Sequence, residues 1–186
     1  MLDDIEFLDD ATRPEGPKLE GLTEEQRLPG MHLKMIHNHL RENMHVLRTL
    51  LDEAARGEVP PEEVEARTSD LTMITNYRRF GALCGRHCQI VEMHHSIEDA
   101  AIFPELSTKS QALLRVTQRL IDEHKIVHEL LVRLVNALGD LARDSNPETF
   151  AAAREVYVAL ERVLNSHLNY EEDSIGDALG YYGVGV

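Results

Sequence analysis

The sequence contains no tryptophan, few other aromatic residues and no long apolar run. Its long stretches are instead rich in Leu, Ala, Glu and Arg, a composition that favours an all-helical protein. No run approaches the roughly 20 apolar residues that span a bilayer, and the N-terminus lacks the basic and apolar segments of a signal peptide. We therefore expect a cytoplasmic protein whose 186 residues form one domain with a substantial core.

Positive charge is scarce as well. The chain has 19 Lys and Arg residues against 33 Asp and Glu residues, which gives a net charge of −14. Nucleic acids and anionic membrane surfaces bind basic faces, so neither is an expected partner. A small ligand, a protein partner or a second copy of the chain remains possible.

Only two cysteines are present, and Cys84 and Cys88 lie four residues apart in one predicted helix. This spacing gives poor disulfide geometry. We interpret them as reduced, buried thiols. A zinc site that also uses His87 is the alternative.

Hydrophobic periodicity predicts four long helices. Gly57, Pro104 and Gly180 are expected to end the first, second and fourth helix. The first two predicted helices cover about 31–56 and 60–103, the second with a possible break near Ser69. The third starts after Ser107 or Ser110 and reaches about 143, and the fourth covers about 147–179. Short connections predict an antiparallel up-down-up-down four-helix bundle over residues 31–180. An irregular acidic arm over 1–30 precedes it, with a capping box at 23–26, and a short tail over 181–186 follows.

Polar residues interrupt the apolar stripe of every predicted helix. Residues four apart share a helix face, and three of the helices carry such a pair. The seven residues are His37, His94 with Glu98, His124 with His128, and His167 with Glu171. Unpaired buried polar groups cost on the order of several kcal/mol each, so this set predicts a shared metal centre.

Ligand counting favours two metal ions over one, since a zinc ion usually takes about four protein ligands and larger ions about six to eight. Five imidazoles, two bridging carboxylates and a bridging oxygen fill all but one position of two octahedral ions. That open position is where a small molecule would bind. His87, His95 and Tyr170 are expected to lie next to the ligands, although a Tyr on a helix stripe is usually core filling.

The motifs resemble those of the hemerythrin-like family, also called HHE cation-binding domains, over roughly residues 31–179. The resemblance rests on the 94–104 stretch from His94 to Pro104, on the 123–128 stretch around His124, and on the 36–41 stretch around His37. It implies a non-heme di-iron centre with an oxo or hydroxo bridge. By the resemblance, one iron is held by His124, His128 and His167, and Glu98 and Glu171 bridge.

By the same resemblance, His37 and His94 hold the second iron, which has the open position. One departure concerns the last carboxylate. Blood-type hemerythrins place it five residues after its histidine, the position of Glu172, whereas Glu171 is four residues after His167, as in many bacterial relatives.

Charge suggests what such a site does. Two carboxylates leave two ferrous ions with a net charge of about +2, unlike the carboxylate-rich sites of ferritin-like oxidases. This favours the ferrous state and suits O₂ binding, storage or sensing. A redox enzyme acting on peroxide, nitric oxide or O₂, and a purely structural metal-binding bundle, are the alternatives. Imidazole ligands suit iron, zinc and copper alike, so iron is an inference.

Overall fold

The computed structural model describes residues 2–56 and 69–185, and within this part of the chain it is helical with no strand. The α-helices are α1 (Glu24–Arg56), α2 (Ser69–Ile97), α3 (Phe103–Ser107), α4 (Gln111–Arg143) and α5 (Pro147–Tyr182). A π-helical turn over Glu98–Ile102 joins α2 to α3. The predicted all-helical class and four long helices are confirmed, while the predicted helical residues 60–68 lie outside the described residues.

The first helix begins at Glu24 rather than at the predicted Met31. A capping box starts it, as the sequence indicated: the Thr23 hydroxyl accepts from the Gln26 backbone N–H (3.2 Å), and the Gln26 side chain accepts from the Thr23 N–H (3.0 Å). Residues 2–23 contain only a short 3₁₀ turn over Asp10–Thr12. The non-helical segment therefore ends at residue 23, not at residue 30, because the helix runs through Pro29.

Pro104 does not end the second helical region, contrary to the prediction. The chain widens into the π-helical turn, and Pro104 then lies in the first turn of α3, where its missing N–H is tolerated. The wide turn adds one residue to the helical register. As a result, Phe103 and Leu106 face the core along with Glu98.

The ends of α4 and α5 follow ordinary capping rules. Ser110 caps α4 by accepting from the Leu113 N–H at 3.1 Å, and Asn146 caps α5 with Pro147 next to it. The predicted end of α5 at Gly180 is wrong. The helix continues to Tyr182 and ends at Gly183, whose φ of 69° lies in the left-handed region that glycine adopts without strain.

Gly180 has a different role, since α1 and α5 approach closely there and at the crossing of Gly30 with Gly176. A Cβ on Gly30 would lie 2.5 Å from the Gly176 carbonyl oxygen. Further along the same pair of helices, the Tyr157 hydroxyl donates to the Met44 carbonyl oxygen at 2.8 Å. Glycine therefore allows the backbone contact that brings α1 onto α5.

The apolar core is divided into two clusters by a buried polar layer. On α1, Leu33 belongs to one cluster and Leu40 to the other, and His37 lies between them. On α4, Leu120 and Val127 flank the layer in the same way. Apolar packing on both sides keeps bulk water away from the polar layer. No helix of the described residues has the length and apolarity to span a bilayer.

The glycine contact predicts a stability difference. Gly30→Ala should lower the free energy of unfolding by about 1–3 kcal/mol, because its methyl group overlaps the backbone of α5. Gly139→Ala is the matched control, since Gly139 is also helical and a Cβ there meets no atom within 4 Å. It should raise stability by about 0.5–1 kcal/mol. Urea unfolding measures both effects, provided that the two variants show the same dependence of the unfolding free energy on urea concentration. Equal effects of the two substitutions would show that the backbones of α1 and α5 leave room for a methyl group at Gly30.

Candidate metal centre

Seven buried side chains from all four long helical regions meet in the polar layer. They form two groups, in each of which the possible ligand atoms lie within 4.8 Å of one another. One group is His95, His124 and His167; the other is His37, His94, Glu98 and Glu171. The most exposed of the seven is His94, at 9%.

Ring nitrogens face each other across each group. His124 Nε2 lies 3.0 Å from His167 Nε2, and His37 Nε2 lies 3.1 Å from His94 Nε2. Two nitrogens bound to one metal at about 2.1 Å and roughly at right angles are about 3 Å apart. The spacing of both pairs therefore fits shared coordination.

The two carboxylates lie between the groups. Glu98 Oε1 is 3.2 Å from His94 Nε2, and its Oε2 is 3.7 Å from His124 Nε2. Glu171 Oε2 is 3.6 Å from His37 Nε2 and 3.4 Å from His167 Nε2. Each carboxylate thus reaches a histidine of both groups, as a bridging ligand does.

Three of the histidines use their other ring nitrogen to contact a carboxylate outside the cluster. The Nδ1 atoms of His37, His124 and His167 lie 3.0, 2.9 and 3.0 Å from carboxylate oxygens of Glu172, Asp99 and Glu123, respectively. An ionised carboxylate only accepts hydrogen bonds, so each Nδ1 carries the proton. This arrangement is typical of metal-binding histidines, because it fixes the tautomer and directs Nε2 at the metal.

The tautomers leave a conflict in the core. If both rings are neutral, the Nε2 lone pairs of His124 and His167 face each other at 3.0 Å, and either a proton on one Nε2 or a shared cation removes the repulsion. The four carboxylate oxygens of Glu98 and Glu171 and the Nε2 atom of His95 have no hydrogen-bond partner within the described part of the chain. Because buried polar atoms are normally paired, these atoms fit a site for a bound cation.

Burial controls the charge of the ligand candidates. It lowers the pKa of His37, His95 and His124 and lowers that of His94 to about 4, so these rings are neutral and can bind metal at pH 7. Burial also disfavours the charged form of His167, but the hydrogen bond to Glu123 and the proximity of Glu171 outweigh it and raise its pKa.

Burial together with the nearby Glu171 raises the pKa of Glu98 well above its usual value. These shifts favour the protonated forms of His167 and Glu98 when no metal is bound. A metal must displace these protons.

The structure brings together six of the seven residues predicted from the sequence, together with His95, and it does not bring His128 to them. The His128 side chain is 58% exposed, and its Nδ1 lies 2.8 Å from Glu92 Oε2. The buried positions of α4 repeat every seven residues, as in 117, 124, 131 and 138, and position 128 falls outside this repeat. On α2, Cys88 and His95 lie on one such repeat, a signal that could have identified His95.

The other expected neighbours of the site are placed as follows. His87 is buried with neither ring nitrogen paired within the described residues, and it is not part of either group. The Tyr170 hydroxyl donates to the Pro14 carbonyl oxygen at 2.8 Å instead of contacting the cluster. Both cysteines are free and buried.

Glu172 lies outside the two groups. It contacts His37 Nδ1 and accepts from Arg41 at 2.7 Å. Glu171, in contrast, is fully buried inside the second group.

A surface pocket of about 250 Å³ includes His95 and His124 in its lining. Glu92, Asp99, Lys125 and His128 lie around the same pocket. The pocket therefore lies at one edge of the polar layer.

The fold and the site together define a helical metal-binding domain. A family model, the hemerythrin HHE cation-binding domain, matches residues 29–179, and the chain belongs to this family. Neither a curated protein nor a solved structure shows a significant match to the chain.

The placement of the histidines on α2 and α4 predicts different effects of two substitutions. His95→Ala should lower the metal affinity by about 10-fold or more, because it removes one of the three imidazoles of its group. The amount of metal bound after dialysis should fall accordingly. His128→Ala should leave metal content unchanged, since its ring lies at the surface. Metal analysis after dialysis at fixed protein concentration measures both. If His128→Ala lost metal and His95→Ala retained it, His128 rather than His95 would be the ligand, as the i, i+4 spacing of His124 and His128 indicated.

Proposed function

We propose that this protein is a non-heme di-iron protein that binds O₂ or a related small oxidant at an open iron position. The observation that carries the proposal is a buried cluster in which the Nε2 atoms of two histidine pairs face each other at 3.0 and 3.1 Å, while the carboxylate oxygens of Glu98 and Glu171 have no hydrogen-bond partner among the described residues. A domain that belongs to a cation-binding family and contains this cluster is suited to two metal ions.

Each ion is assigned to one group of residues. His95, His124 and His167 hold the first ion, and His37 and His94 hold the second. Glu98 and Glu171 bridge the two, consistent with the position of each carboxylate between histidines of both groups. Glu171 rather than Glu172 is the last ligand, because Glu172 contacts the outer nitrogen of His37.

The two positions differ in their number of protein ligands. With shared carboxylates, the first ion has five protein donors and the second has four, so the open position belongs to the ion held by His37 and His94. Leu33 and Leu40 flank His37 on α1 and exclude bulk water from this side. Exclusion of water protects a bound oxidant from hydrolysis and proton leakage.

The donor chemistry favours iron. With shared carboxylates, the first ion has five protein donors and the second has four and an open position, more positions per ion than the closed four-ligand set of a structural zinc, and mixed nitrogen and oxygen donors suit iron. A bound iron pair supplies the electrons that O₂ or peroxide accepts. The chain supplies the imidazole-rich donor set, which disfavours highly oxidised iron and therefore favours binding over attack on strong bonds.

The scaffold for this site is an up-down-up-down four-helix bundle with an N-terminal arm. The contacts between α1 and α5 support it: Gly30 meets Gly176, whereas Met44 meets Tyr157, so the residue numbers run in opposite directions. An antiparallel bundle is the usual host of such buried metal pairs.

Optical spectra of the iron-loaded protein test the function. The reduced protein should change its spectrum within the mixing time on addition of O₂, and azide should add a new absorption band to the oxidised protein. His37→Ala should abolish the azide response, because it removes a ligand of the open ion. His39→Ala is the matched control on the same helix, since its side chain is 73% exposed, and it should respond like the unchanged protein.

The outcome also separates the alternatives. Release of O₂ under vacuum supports a carrier or storage protein, and catalytic loss of added peroxide supports an enzyme. No spectral change with O₂, peroxide or azide in the iron-loaded protein would contradict both and leave a structural metal site.

A further inference from the structure

The N-terminal arm, which in the structure is the segment 2–23 before α1 rather than the predicted 1–30, contacts the metal centre through one arginine. Arg13 donates from Nε to Glu123 Oε1 at 2.8 Å and from Nη2 to Glu123 Oε2 at 3.0 Å. Glu123 Oε2 also contacts His167 Nδ1 at 3.0 Å, and Arg119 Nε donates to Oε1 at 2.7 Å. A continuous set of hydrogen bonds therefore links the arm to a histidine of the centre.

Glu123 is held firmly in its charged form. It is 4% exposed, and its two oxygens accept from the guanidinium groups of Arg13 and Arg119 and contact the His167 ring. A buried carboxylate with two guanidinium partners divides its negative charge among three donors. The share available to His167 is smaller than it would be with one guanidinium.

Other contacts of the arm fix Arg13 in place. Its Nη1 donates to Ser166 Oγ at 2.9 Å, and its guanidinium carbon lies 4.7 Å from the centre of the Tyr170 ring. The following residues pack closely on α5, because a Cβ on Gly16 would lie 2.3 Å from the Ser174 carbonyl oxygen. The arginine is thus set by backbone packing on both the arm and α5.

We propose that Arg13 is a positioning residue of the metal centre, which weakens the pull of Glu123 on the His167 Nδ1 proton and so lowers the electron donation of His167 to its metal. The proposal deepens the proposed function and rests on it for the identity of the metal. Its physical basis is that partners of the outer nitrogen tune the basicity of a metal-binding histidine.

The direction of the effect follows from two contributions of the same sign. Without Arg13, Glu123 attracts the Nδ1 proton more strongly and His167 becomes a better donor. The loss of the largely buried Arg13 charge, whose side chain is 15% exposed, acts in the same direction, because removing a nearby positive charge stabilises the more highly charged metal. Arg13 therefore favours the reduced state.

Arg13→Gln tests this directly in the full-length protein. Its reduction potential should fall, so that the affinity for ferric relative to ferrous iron rises by a factor on the order of ten or less. Arg13→Lys should keep most of the reduction potential of the unchanged protein, because lysine retains the positive charge. A small decrease is expected, since lysine cannot form the paired hydrogen bonds to Glu123. Arg133→Gln is the matched control. Arg133 on α4 donates to both carboxylate oxygens of Asp4 in the arm, at 2.6 and 2.7 Å, and it does not contact Glu123 in these bonds. The reduction potential of this variant should not change.

A second measurement separates this proposal from the assignment of iron. In the metal-free protein, the Nδ1 proton resonance of His167 should move downfield in Arg13→Gln, because its hydrogen bond to Glu123 strengthens. An unchanged resonance in folded Arg13→Gln would overturn the proposal whether or not the protein binds iron. A resonance that moves in this way, in a protein that takes up no iron when iron is supplied, would support the role of Arg13 and contradict the proposed function instead.

Discussion

The structure depends on one constraint: lone pairs directed at each other in a closed core. Carboxylates on the outer side of His124 and His167 hold the Nδ1 protons, so the two inner Nε2 atoms, 3.0 Å apart, require one further proton or a cation between them. Such an arrangement in an apolar setting is costly unless a cation or extra protons join it. Binding of a cation, as in the cation-binding family to which the chain belongs, would remove this cost and favour the folded state.

The surrounding fold serves this layer. Two apolar clusters enclose it, the glycine contact between Gly30 and Gly176 brings α1 onto α5, and the π-helical turn keeps both Glu98 and Phe103 directed inward. Arg13 adds a charged outer contact through Glu123. The centre is thus organised from the inner ligands, through their carboxylate partners, to the N-terminal arm.

Helical periodicity was sufficient to predict the four long helices and six members of the cluster, because apolar stripes reveal which polar residues are buried. It failed for His128, since a buried stripe that repeats every seven residues drifts away from a simple i, i+4 pattern. It also failed at Pro104, because a π-helical turn precedes the proline and places it in the first turn of α3, where no N–H is needed. The Arg13–Glu123 contact joins residues 110 positions apart, and no local pattern reports such a contact.

The central claim is that the polar layer holds two iron ions in two adjacent groups of ligands. Diffraction from crystals of the iron-loaded protein, measured on both sides of the iron absorption edge, tests it most directly. The account predicts two anomalous peaks per chain, one beside His95, His124 and His167 and the other beside His37 and His94. A single peak, or none in this layer, would contradict it.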